Sequence, residues 1–251
     1  MIQQSKLKRS RLMDNSQFPS QGQSVDELYG VGQDSLVQRI VQRTFLWMTL
    51  GLAITGLASV YTVDSGLVFR MIGSNSFYFL LIAEIALVWI LSARVMKLSL
   101  PVATGAFALY SVLNGVTLSP IFLVYTSESI ATTFFVTSGT FGAMALYGYF
   151  TKRDLTKWGS LLFMVLIGVV IATLVNLFLK SETLMWIITY VGVILFVALT
   201  AYDTQKVKLL ANETKHDVEL SKKASLLGAL TLYLDFINLF LYLLRLFGRR
   251  N

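Results

Sequence analysis

Apolar residues fall into seven long blocks, and polar residues crowd into the short stretches between them. The blocks cover about 44–63, 77–93, 100–125, 129–150, 159–179, 184–202 and 224–247. About 20 mostly apolar residues suffice for a helix to cross a bilayer, so the pattern predicts seven membrane-spanning helices. Pro120 is expected to kink or end the third. The connections are short except for 203–223, which is long and highly charged. Residues 1–43 form a polar tail, expected to be mostly disordered, with 35–43 a candidate start for the first helix. The expected organisation is this tail followed by one membrane domain over 44–251.

The last block departs from uniform hydrophobicity. Gly228, Thr231, Asp235, Asn238, Tyr242 and Arg245 recur at steps of three and four, which keeps them on one side of a helix. A carboxylate near the middle of a membrane helix costs about 2.5–3.5 kcal/mol on insertion scales. Asp235 should therefore face protein or a wet cavity, which places the seventh helix inside a bundle. Small residues also predict close helix contacts, with Gly51, Thr55 and Ser59 on one face of the first span, and Gly139 and Ala143 on one face of the fourth.

Composition agrees with this reading. Hydrophobic residues make up 55% of the 251, and charged residues only 14%, against about a quarter in an average soluble domain. The net charge of +7 does not point to nucleic acid, because the basic residues flank apolar spans. Of the 21 lysines and arginines, 16 fall on the side of the N-terminus. That asymmetry predicts a cytoplasmic N-terminus. Seven full spans would leave the basic end, RLFGRR, outside, whereas a re-entrant last segment would return it to the cytoplasm. The length of that segment and its lack of proline favour seven spans.

There is no cysteine, which removes disulfides, thiolate metal sites and a cysteine nucleophile. The single histidine, His216, lies among charged residues and reads as a solvated position. The ionisable groups within or at the ends of spans are Glu84, Arg94, Asp203 and Asp235. The third span adds Ser111, Asn114, Thr117 and Ser119 around Gly115. Taken alone, Arg94 is a boundary charge that snorkels, and Tyr202 is an interfacial anchor.

AYDTQK at 201–206, the run LGALTLYLDFINLFLYLLRLFG at 227–248 and NGVTLSPIF at 114–122 resemble the Bax inhibitor-1 family, and most nearly its bacterial inner-membrane branch. The resemblance covers residues from about 44 onward. It implies an all-α fold in which two three-helix layers wrap a central last helix. It implies a pH-sensitive calcium leak sensed by a pair of aspartates, matched by motif to Asp203 and Asp235, which would also touch Ca²⁺ weakly and transiently. It further implies an arginine latch, matched to Arg94. Glu84, Asn114 and Asn238 are further candidates for the ion path. No cofactor is expected, with calcium as the permeant ion.

Three function classes compete. The first is the cation leak. The second is a non-catalytic regulator that acts on a membrane protease or another membrane protein. The third, an intramembrane aspartyl protease, is disfavoured because Asp235 sits in LYLDF without a GxGD motif and no PAL sequence occurs. An enzyme is not expected. A retinal-binding receptor would need a Schiff-base lysine, and block 224–247 has none. Paired broken helices of the transporter type are not evident.

Overall fold

The structure is a computed structural model that describes residues 25–72 and 74–251, with side chains from Ser35 onward. Residues 37–251 form one compact unit. Its helices are α1 (Val25–Asp64), α2 (Leu67–Ile72), α3 (Ser76–Arg94), α4 (Leu100–Leu118), α5 (Ile121–Val124), α6 (Ser127–Phe150), α7 (Gly159–Leu179), α8 (Glu182–Thr214) and α9 (Val218–Phe247). Seven segments among the described residues are long and apolar enough to cross a membrane: Ser35–Asp64, Ser76–Arg94, Leu100–Val124, Ser127–Phe150, Thr156–Leu179, Glu182–Thr214 and Val218–Phe247. The chain is an all-α, multi-pass membrane protein.

Two boundaries differ from the sequence reading. The expected tail at 1–43 lies outside the described residues up to 24, and from Val25 the backbone is already helical. The expected loop 203–223 does not exist as a loop. α8 runs on to Thr214, and α9 starts at Val218, where Asp217 Oδ1 accepts from the Glu219 and Leu220 amides. Lysine, glutamate, glutamine and leucine are good helix formers, so a charged stretch can continue a helix beyond the apolar layer. Glu219 and Lys223 then pair at 2.8 Å across one turn. Pro120 behaves as expected: α4 ends at Leu118 and Pro120 caps the short α5.

α9 is the most buried of the spans. It is one unbroken helix, long and apolar enough to cross a membrane. On one side stand α1, α3 and α4. Thr55 Oγ1 lies 2.9 Å from the Ser111 carbonyl, and Ser59 Oγ donates to the Gly115 carbonyl at 2.6 Å. A Cβ at Gly115 would strike the Thr55 carbonyl, which explains why the α1–α4 seam needs glycine there. On the other side α8 carries α6 and α7. The α6–α8 seam closes at Gly148, where any side chain would strike the Ala201 backbone. Gly139, by contrast, has nothing within 4 Å of a Cβ position, so the small-residue face at Gly139 and Ala143 is not a tight seam. The two three-helix groups meet on α9. Tyr233 of α9 lies 2.6 Å from Thr55 Oγ1 and packs edge-on against Phe107 and Tyr110, while Phe236 meets Phe134 and Phe141 of α6.

Beyond α9 the chain folds back. The Thr126 amide donates to the Arg249 carbonyl, the Asn251 amide to the Val124 carbonyl, and the Arg249 amide to Ser129 Oγ.

Candidate functional site

The polar stripe of α9 points at α8 and the space beside it. Asp203 and Asp235 are both buried, at 7% and 4% exposure. Their carboxyl groups meet side chain to side chain across the α8–α9 contact. Spacing alone could not bring them together. Extending α8 past residue 202 does, because it puts Asp203 inside a packed helix rather than at its frayed end.

Each residue of the AYDTQK motif has a structural partner. Tyr202 lies over Gly159 at the start of α7. Thr204 Oγ1 donates to the Thr200 carbonyl. Gln205 clasps the α6–α7 connection, accepting from the Leu155 amide and donating to the Arg153 carbonyl, both at 2.8 Å. Lys206, one turn after Asp203 and exposed, is the cation whose charge acts on Asp203. Its Nζ sits 5.9 Å from the centre of the Tyr202 ring. The charge of 203–223 predicts a loop, and a loop gives Lys206 no fixed relation to Asp203. As part of a continuous helix, its i+3 spacing from Asp203 would have marked it.

A cavity of about 430 Å³ opens onto the pair, lined by α7, α8 and α9. Two buried side-chain oxygens have no hydrogen-bond partner among the described residues, Asp235 Oδ2 and Asn114 Oδ1. Asp235 and Asn238 both line the cavity. The Asn238 amide nitrogen is already committed to the Leu234 carbonyl at 2.8 Å. A larger groove, of about 740 Å³ between α1, α6 and α9, carries no ionisable side chain, so size does not locate the chemistry.

Glu84 lies apart from this site, on α3. It is buried, and both of its oxygens are engaged by α4: Asn114 Nδ2 donates to Oε1, and Thr117 Oγ1 donates to Oε2 at 2.7 Å. Arg94, at the end of the same helix, is exposed and is not among the groups acting on either aspartate. The structure thus joins Asp203 with Asp235 and Glu84 with Asn114, and leaves Arg94 away from both. His216 is in the short turn between α8 and α9.

Among the described residues no three His, Asp or Glu side chains gather as a metal site. Ca²⁺ takes about 6–8 oxygen ligands. The aspartates and the Asn238 side-chain oxygen supply too few for a tight cage.

Comparison with known proteins agrees with this architecture. The family model described as "Inhibitor of apoptosis-promoting Bax1" matches residues 37–251. The chain is 55% identical over 218 residues to "Inner membrane protein YbhL" of Escherichia coli K12, covering 86% of this chain and 93% of that protein. It is 42% identical to an uncharacterized protein of Borreliella burgdorferi, with 87% and 96% covered, and 41% identical to the uncharacterized protein RP147 of Rickettsia prowazekii, with 87% and 92% covered. The seven-helix bundle, the motifs at its centre and these matches along nearly its whole membrane domain agree: the chain belongs to the Bax inhibitor-1 family.

Proposed function

We propose that the protein is a pH-sensitive cation leak, with calcium as the permeant ion and Asp203 and Asp235 as the sensor. The observation that carries this reading is the buried carboxyl pair across α8 and α9, with a free oxygen on Asp235 beside a cavity. A hydrogen bond between two carboxyls needs a proton between them, so the two sites titrate as one coupled unit. With the proton in place, the pair bridges α8 to α9 and holds the path shut. Loss of the proton leaves two like charges in contact. Their repulsion parts the helices and exposes hard oxygen ligands to a divalent cation. Leak therefore rises as pH rises. Arg94 acts as a latch on the pair when α3, which rests on α4, moves toward it.

By analogy with the E. coli relative, the protein resides in the bacterial inner membrane, and the bias of lysine and arginine favours an N-terminus in the cytoplasm. Reporter fusions at both ends test that orientation, and a cytoplasm-only reporter active after Asn251 would overturn it. The decisive experiment is flux into proteoliposomes of purified protein over a range of pH, with Ca²⁺, Na⁺ and K⁺ compared. Flux that increases with pH and favours Ca²⁺ is expected. No flux at any pH would reject the leak and leave the non-catalytic regulator of a membrane protease or other partner.

A further inference from the structure

The cavity beside the aspartate pair is built asymmetrically. α7 packs along α8, which leaves a cleft between α7 and α9. Phe163 of α7, at the mouth of the cavity, is 60% exposed on a span that is almost wholly uncovered, so the cleft opens toward the hydrocarbon layer. Its walls are apolar, formed by Phe163, Leu166, Phe196 and Leu199.

Its polar end holds the Asp203–Asp235 carboxyl pair, with Asn238 and Thr231 beside it and the Tyr202 and Lys206 side chains also in the lining. With one proton between them, Asp203 and Asp235 use it on each other. One N–H of the Asn238 amide goes to the Leu234 carbonyl, and the Thr231 hydroxyl donates to the Leu227 carbonyl at 3.2 Å. The buried acceptor left without a partner here is Asp235 Oδ2. Lys206, exposed and one turn from Asp203, is the cation in the lining, with its Nζ 5.9 Å from the centre of the Tyr202 ring. An apolar slot that ends in a buried carboxyl pair with one unpartnered oxygen suits an ammonium with several N–H donors on a hydrocarbon tail, in competition with Lys206 for Asp203. A volume of about 430 Å³ lies within the range of small-molecule sites, about 300–1,000 Å³.

We propose that the cleft between α7 and α9 is a binding site for lipophilic amines, which enter from the membrane and place their ammonium group on the Asp203–Asp235 pair. The site uses the same aspartates as the proposed leak but depends on their geometry and not on ion flow. A bound amine bridges α8 and α9 by charge-assisted hydrogen bonds, so it acts as an inhibitor of the parting of those helices.

The test is photolabelling of the full chain in phosphatidylcholine nanodiscs. The probe is dodecylamine with a diazirine on its chain. The same chain ending in an alcohol or a carboxylate is run beside it, and labelled peptides are mapped by mass spectrometry. The expected result is amine label concentrated on the facing segments of α7, α8 and α9, with the alcohol and carboxylate spread over all lipid-facing helices. Asp235→Asn should lower the focused label about tenfold, the loss expected for a charge-assisted bond. Leu166→Trp fills the slot from the membrane-facing helix, leaves both aspartates in place, and should abolish the focused label. Amine label spread like that of the alcohol, or focused label that survives Leu166→Trp, overturns the proposal. Focused label in protein that conducts no ion would reject the leak alone, and flux without focused label would reject the amine site alone.

Discussion

Glu84 and Asp235 are both buried carboxyl groups within spans, and they are held in opposite ways. Glu84 has a neutral donor on each oxygen, both from α4. Asp235 faces another acid and keeps one oxygen free. A carboxylate wrapped by neutral donors ties two helices together while it is ionised, with no proton shared between acids. A carboxyl group set against its own kind is tied only while a proton is shared. Burial alone, which a sequence can suggest, does not separate these two cases. The partner does.

The comparison breaks most visibly at the pair itself. Asp203→Asn and Asp235→Asn should each flatten the pH dependence of flux, and the double variant should add little. Groups in contact couple by about 0.5–3 kcal/mol, so additive single effects in a double-mutant cycle would show that the aspartates act separately. An unchanged pH profile in both folded single variants would remove the sensor.

On the other side, Glu84→Ala should destabilise the protein by about 1–3 kcal/mol, because the Asn114 and Thr117 donors lose their buried acceptor. The measurement is the fraction folded after heating in detergent. Glu84→Gln keeps an acceptor for one donor and should recover part of that loss, with the pH response of flux intact in both variants. A flattened response in Glu84→Gln would make Glu84 a second sensor and dissolve the contrast.

A smaller effect is expected where α9 meets α1. Tyr233→Phe removes the 2.6 Å contact to Thr55 while keeping the ring against Phe107 and Tyr110. A net loss of about 0.5–1.5 kcal/mol in thermal unfolding is expected, with no change in pH response. The smallest effect belongs to Arg94. Since it is exposed, Arg94→Ala should leave protein level unchanged and raise resting flux only modestly. Unaltered flux would make it a boundary charge that snorkels.

Much of this was legible in the order of residues. Seven blocks of sufficient length became seven spans, and the three-and-four spacing from Gly228 to Arg245 located the buried stripe of the central helix. What escaped was governed by helix continuation and by partners distant in the chain. Residues 203–223 look like a loop because charge marks the membrane boundary, yet the same residues favour helix. That misreading hid Lys206 and Gln205. Glu84 and Asn114 were each noticed, but 30 positions separate them and no local pattern pairs them. Arg94 was matched through family resemblance, and its helix rests against α4, not against the pair.

The burial of α9 also sets an order of assembly. It follows the other six spans in the chain, so it leaves the ribosome after them. Until it arrives, the two three-helix groups have no common axis, and surfaces such as Phe107, Tyr110 and Phe141 must rest against lipid or each other. Membrane helices can insert first and associate later, since each satisfies its own backbone in the bilayer. In this chain the keystone is made after the six spans it joins, and its arrival rather than the entry of the first helices is the moment at which the bundle can close.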